Sequence, residues 1–332
     1  MIDYYDIRRR ADKLRAINII IGGRGIGKTY SALSFALETG KPFIYLRNTA
    51  VQMDESCSLF GNPFKRISRD TGRDIVMEAE KRHYMIYEKI GEEKTLLGYG
   101  AALSTFANMR GVDLSDVELC IFDEFIEARK LTFNQFTAFQ GFYETVNRNR
   151  ELSGEAPFKV ILLSNSQTLQ NDILAGYGLV QRIVTMTQNN EKTYSNRDIF
   201  LELPTAGVSE MKKDTANYRL ISGTAAAREA LENEFTRDSF KNVKKLPINE
   251  FTPLCMVETE RGMCAVWRHK SDGRIYCCLT PSMQCKIYDK DQYALFMRER
   301  GLYLTECEVR GRIWYENYEC KLMLSDALRL ST

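Results

Sequence analysis

The apolar positions of this chain fall into two patterns. Over the first two hundred residues, short runs of branched and aromatic residues recur at Ile17–Gly22 (INIIIG), 42–47 (PFIYLR), 117–122 (VELCIF) and 158–164 (FKVILLS). None of these runs alternates with polar residues, as expected of strands covered on both faces. Helical spacing fills Lys28–Glu38 and roughly 132–147. Segments 75–77, 83–87 and 95–97 predict shorter strands, a hairpin at one edge. This alternation predicts an α/β unit, a mainly parallel sheet with helices on both faces.

Beyond about residue 190 the pattern changes. Residues 189–196 (NNEKTYSN) are polar, and 206–217 (AGVSEMKKDTAN) read as loop. Residues 222–235 (SGTAAAREALENEF) read as a helix, with a serine at the start and an alanine-rich body. A helical linker is therefore expected over 198–230, between a first domain at 1–197 and a second at 231–332. In the last span, 263–267 (MCAVW), 275–279 (IYCCL) and 286–288 (KIY) predict strands, and a helix is expected near 292–300. That is a small α+β domain. A length of 332 residues suits two cores.

Composition narrows the class. Apolar residues make up 44% and charged residues 27%, as in ordinary globular proteins. The net charge of +2 announces no polyanionic partner, so a nucleic-acid surface must come from local patches. The second domain is itself nearly neutral, with 16 Lys and Arg against 15 Asp and Glu from residue 231 onward. Candidate patches in it are Lys241, Lys244 and Lys245, or Arg310 and Arg312. No apolar run approaches the roughly 20 residues that span a bilayer, and the first residues lack the core of a signal peptide. A soluble cytoplasmic chain with no membrane partner is expected. Nine cysteines without a CxxC pair, and only two histidines, speak for free thiols rather than a zinc site.

The chemistry concentrates where the first strand hands over to the first helix. Gly22-Gly23-Arg24-Gly25-Ile26-Gly27-Lys28-Thr29, followed by Tyr30, fits the phosphate-loop pattern G-x-x-x-x-G-K-[ST]. Its glycines let backbone amides approach a phosphate, and the helix N-terminus adds unpaired N–H groups. Lys28 is expected to reach the β- and γ-phosphates of ATP, and Thr29 to hold Mg²⁺ through its hydroxyl. A second apolar strand ends in Asp123-Glu124. Asp123 is expected to orient the Mg²⁺ shell, and Glu124 to act as general base on the attacking water. That second acid tilts the reading toward hydrolysis. Asn165, at the end of a third strand, is placed to sense the γ-phosphate or orient the water. Charge that builds on the transferred phosphoryl group calls for a guanidinium. The candidates are Arg148 and Arg110, with Arg47 weaker; an arginine acting between subunits implies a ring.

These motifs, IGGRGIGKTY, IYLRN, LCIFDEFIE, TVNRNRE and LLSN, occur in one order. Together they resemble the double-stranded-DNA packaging ATPases of small podoviruses, the phi-twenty-nine type that assembles on a packaging RNA and is related to large terminase subunits. The resemblance implies a P-loop ASCE ATPase forming a pentameric ring at a procapsid portal and pumping double-stranded DNA. It also implies Arg148 as the arginine finger, Arg110 as a second trans-acting basic residue, and a ribonuclease H-like C-terminal domain that is a vestigial nuclease and binds nucleic acid. The segments 263–267 and 275–279 carry no acid, Asp272 precedes a glycine in a turn, and Asp289 and Asp291 lie in polar sequence. No working two-metal nuclease is expected there. Two other readings fit part of the pattern: a terminase with an active nuclease, and a nucleotide-gated binding protein that is no motor.

Overall fold

The computed structural model describes residues 2–80, 83–109, 114–127, 131–165, 168–231, 235, 238, 240 and 242–329. The chain divides into two compact units, Met1–Gly176 with Met186–Thr236, and Arg237–Thr332 with Tyr177–Thr185.

The first unit begins with β1 (Ile17–Gly22), α1 (Lys28–Glu38), β2 (Phe43–Arg47), α2 (Ala50–Ser56) and α3 (Lys65–Thr71). It continues with β3 (Asp74–Glu80), β4 (His83–Ile90), β5 (Glu93–Ala102), β6 (Leu119–Asp123), α4 (Gln135–Asn147), β7 (Lys159–Asn165) and α5 (Asp172–Gly176). Then come α6 (Val180–Gln188), which runs out of the second unit's inserted span, β8 (Thr193–Ser195) and β9 (Ile199–Glu202). Three short helices follow: α7 (Gly207–Lys213), α8 (Ala216–Leu220) and α9 (Ala225–Leu231).

These strands form one nine-stranded sheet in the order β3-β4-β5-β2-β6-β7-β1-β9-β8. From β5 through β9 the neighbours are parallel. The antiparallel β3-β4-β5 run closes one edge, where the hairpin was expected, and antiparallel β8 closes the other. Every residue of β1 and β6 is buried, which is why those runs carry no polar alternation. One strand, β7, separates the phosphate-loop strand from the acid-bearing strand. All three therefore end at the same edge of the sheet. The face under α4 is aromatic: Phe122 stacks on Phe139 at 6.0 Å, and Phe142 meets Phe106 and Phe158 edge-on.

The expected linker span behaves otherwise than a linker at its start. β9 lies beside β1 in the sheet, in register from Ile17↔Ile199 to Ile20↔Glu202. The expected loop at 206–217 forms α7 and the beginning of α8. Glu210 in the first turn of α7 and Lys212 and Lys213 in its last suit the helix dipole, and Val208 is buried.

The second unit is a small α+β body. It contains β10 (Phe251–Thr259), β11 (Gly262–His269), β12 (Ile275–Cys278), β13 (Ile287–Tyr288), α10 (Tyr293–Phe296), α11 (Leu302–Val309), β14 (Ile313–Tyr315) and α12 (Tyr318–Leu328). Its sheet runs β13-β10-β11-β12-β14, an antiparallel meander with a parallel strand at each edge. Cys255, Cys264, Cys277, Cys307 and Cys320 are core packing in this unit, and all nine cysteines are free thiols. Among the described residues no helix is long and apolar enough to cross a membrane.

Candidate active site

The site is built at the ends of β1, β7, β6 and β2. After Gly22 the chain turns through residues 23–27, and Gly27 caps α1 with a φ of 98° that a side chain would resist. Gly23 is needed for a different reason: a Cβ there would stand 2.3 Å from the backbone oxygen of Ala230. The loop is braced from the other side as well, where the Tyr5 N–H donates to the Ile26 carbonyl at 2.9 Å.

Lys28, the first residue of α1, points back into the loop and is 7% exposed. Its ammonium donates to the Gly22 and Gly23 carbonyls, each at 2.8 Å, and to Asn165 Oδ1 at 3.2 Å. Asn165 reaches it because β7 runs beside β1, with Gly22 opposite Asn165. Burial pushes the Lys28 pKa down to about 8; Lys212 adds to that push, and Asp123 and Glu124 oppose it.

The Thr29 hydroxyl donates to Asp123 Oδ1 at 2.9 Å. Tyr45, on β2, donates its phenol to Asp123 Oδ2 at 3.2 Å. Asp123 is buried, and burial raises its pKa while Arg47 opposes the rise. Arg47 lies between the two acids, 3.6 Å from Asp123 and 2.7 Å from Glu124. β6 ends at Asp123, and Glu124 takes a left-handed φ of 53°, uncommon for a side-chain-bearing residue. That turn brings its half-exposed carboxylate onto the Arg47 guanidinium.

Behind these acids is a buried amide network. Asn48 donates to the Glu124 carbonyl at 3.0 Å and to Glu127 Oε1 at 2.9 Å. Gln135, at the start of α4, donates to Asn48 Oδ1 and to the Phe125 carbonyl, both at 2.6 Å. Asn171 donates to Gln135 Oε1 at 2.6 Å. The network ties the turn after β6 to α4 and to the start of α5.

The cavity between these elements is lined by Arg24, Gly25, Gly27, Lys28, Thr29, Tyr30, Asp123, Glu124, Ser164 and Asn165. Lys28, Thr29, Asp123, Glu124 and Asn165 thus meet at one opening with most of the phosphate loop; Gly22, Gly23 and Ile26 do not line it. Arg24 is exposed at the loop's surface. Arg148 is not at this opening. It caps the C-terminal end of α4 with φ 46° and is exposed. α4 starts on the Phe125 carbonyl beyond β6 and ends where Asn147 accepts from the Phe158 N–H, just before β7. Its 13 residues span about 20 Å, so Arg148 lies at the opposite edge of the sheet from Lys28. Arg150, next in the RNR run, is buried and donates to the Ser115 and Val117 carbonyls. Arg110 lies outside the described residues. In the second unit, Asp272 is paired with Arg274 at 2.6 Å, and Asp289 caps a short helical turn.

Sequence reasoning missed Tyr45, Asn48, Gln135, Asn171 and Lys212. For Tyr45 a signal existed: it stands two residues before Arg47 on a strand and so shares its face. The others are brought in by topology alone.

Oxygen donors around an aligned threonine and a buried aspartate, below a glycine-rich nest, suit a nucleoside polyphosphate with a hard divalent cation. Comparison with known proteins identifies the family. Residues 2–298 match the family described as Podovirus DNA encapsidation protein (Gp16). The DNA packaging protein of Bacillus phage B103 is 28% identical over 239 residues, 70% of this chain and 68% of that protein. The DNA packaging protein of Bacillus phage PZA is 25% identical over 281 residues, 79% of this chain and 78% of its own. Among solved structures, the bacteriophage Phi-29 viral genome packaging motor assembly matches with a TM-score of 0.65 at 21% identity, covering 98% of each chain. The Phi-28 gp11 DNA packaging motor matches with a TM-score of 0.62 at 20% identity, covering 99% of each chain. The fold is therefore shared along essentially the whole length, beyond the first two hundred or so residues in which the motifs lie. With a family match spanning most of its residues, this chain belongs to the Podovirus DNA encapsidation proteins.

Proposed function

We propose that this chain powers DNA packaging by hydrolysing ATP in a ring of identical copies, pentameric as the family resemblance implies. In this reading the hydrolysis moves double-stranded DNA into a procapsid. The ring docks through a packaging RNA at the portal vertex, in the host cytoplasm. The observation that carries the reading is the convergence of Lys28, Thr29, Asp123, Glu124 and Asn165 on one opening while Arg148 sits at the far edge of the sheet.

The roles follow from the contacts. Loop amides and Lys28 hold the β- and γ-phosphates; to do so Lys28 exchanges the Gly22 and Gly23 carbonyls for phosphate oxygens. Thr29 and Asp123 would hold Mg²⁺, with Tyr45 fixing the second carboxylate oxygen. Bound Mg²⁺ supplies neutralisation of charge on the β- and γ-phosphate oxygens. Glu124 takes the proton of the attacking water once it parts from Arg47, and Asn165 orients that water. No arginine at the end of α4 can serve its own opening across the sheet. Arg148 therefore acts on the site of an adjacent copy, and Arg110 is proposed as a second basic group between copies. The second unit handles nucleic acid without cutting it, since Asp272 and Asp289 are already engaged in local pairing and capping.

The test mixes an Arg148→Ala variant with a Glu124→Gln variant at varied ratio and reads DNA-stimulated ATPase. Each variant alone should be silent, and turnover should return in the mixture wherever an Arg148→Ala copy receives the arginine of a Glu124→Gln neighbour. No return of turnover in the mixture would overturn the trans role.

A further inference from the structure

Lys212 is a cation that the reading above does not use. It lies on α7, in the span the sequence reads as loop. The adjacent Lys213 is paired with Glu210 at 2.8 Å. Lys212 pairs with no carboxylate among the described residues. Its ammonium instead donates to the backbone oxygen of Arg24 at 2.5 Å and stands 6.0 Å from the Tyr218 ring centroid. A Cβ on Gly25, where φ is 69°, would meet that ammonium at 2.8 Å. Lys212 is also near enough to weigh against the charge on Lys28.

Two ammonium groups held around one loop repel each other, although Asp123 and Glu124 offset part of that at Lys28. The arrangement turns favourable when an anion joins both. A single carbonyl uses one of three ammonium donors, leaving two for another acceptor. Arg24 and Gly25 belong to the arc that surrounds a phosphate chain, and Lys28 is the group that reaches its far end. We propose that Lys212 is a second phosphate-binding cation, supplied in cis by α7, which leaves the Arg24 carbonyl for an oxygen of the terminal phosphate of ATP. This rests on the nucleotide reading of the opening. It adds that the α7 span distinguishes triphosphate from diphosphate.

The experiment measures equilibrium binding of ADP and of the β,γ-imido analogue of ATP, with Mg²⁺, to the full chain and to Lys212→Ala, Lys212→Arg and Lys28→Ala. Lys212→Ala should weaken the triphosphate analogue roughly tenfold, the size of one charge-assisted hydrogen bond, and ADP by less than about twofold. Lys212→Arg should keep most of the triphosphate preference, since it keeps the charge. Equal weakening of both nucleotides would make Lys212 a packing residue of the loop and overturn the proposal, as would no weakening of either. Lys28→Ala separates the two levels. If it binds the analogue normally, the nucleotide site itself is wrong; if it loses binding while Lys212→Ala loses none, only the Lys212 assignment falls.

Discussion

Lys28 should make ATP affinity fall in alkali. The residue is 7% exposed, and burial holds its pKa at about 8 rather than 10.5. The sign for folding comes first. A lysine whose folded pKa is depressed binds its proton less tightly in the folded chain than in the unfolded one. The penalty is present in full below about pH 8 and is relieved as pH rises toward 10.5. ATP works the other way. Its negative charge favours the ammonium, so the bound pKa returns to the ordinary range, and binding above pH 8 takes up a proton. Roughly three-quarters of free chains carry the charge at about pH 7.5, and about one-tenth do at about pH 9. Affinity should therefore drop about eightfold between those pH values, with proton uptake rising from about 0.2 to about 0.9 per ATP. Titration calorimetry in two buffers of different ionisation enthalpy reads both quantities. In Lys28→Arg the guanidinium stays charged throughout, so affinity is lower but its pH dependence should vanish. A flat wild-type profile would refute the buried-lysine argument. So would an equal slope in Lys28→Arg, because another group would then be titrating.

Two further outcomes test the surroundings of the opening. Gln135→Leu keeps the volume near that of glutamine but strands polar atoms of Asn48 and Asn171 in a buried network. It should destabilise the first unit by roughly 2–4 kcal/mol, read by denaturant unfolding of that unit, and a loss below about 1 kcal/mol would show that the network relaxes. Gly23→Ala puts a methyl where the Ala230 oxygen already lies 2.3 Å away. It should raise hydrogen exchange across Ala225–Leu231 and weaken nucleotide binding, and unchanged exchange there would show that the loop itself gives way.

How much of this was legible in the sequence depends on where the information sits. α1 begins and ends at the expected residues, because a glycine-capped start and a helical apolar stripe define it locally. The buried strands fall within a residue or two of expectation. β10 was missed: Pro253 interrupts its pattern, and the strand accommodates that proline at a register shift before Cys255. α12 was missed because it is buried over nearly its whole length and shows no polar face. Lys28, Thr29, Asp123, Glu124 and Asn165 were readable because each ends or begins an element whose type was itself readable. Lys212 was not, because only the return of the chain to the phosphate loop after β9 brings it there, and no spacing in the sequence encodes that return. The difference between Arg148 and Arg150 was equally hidden. They stand two residues apart, yet one caps a helix in the open and the other is spent on buried carbonyls.

The trans role proposed for Arg148, across the sheet from Glu124, bears on inheritance. Under that proposal a copy lacking Glu124 still carries a usable arginine, and a copy lacking Arg148 still carries a usable base. Two alleles, each silent when expressed alone, would then restore turnover when expressed together, wherever the second kind of copy receives its arginine from the first. Such intragenic rescue belongs to a machine whose chemical unit is a junction between copies and not the polypeptide itself.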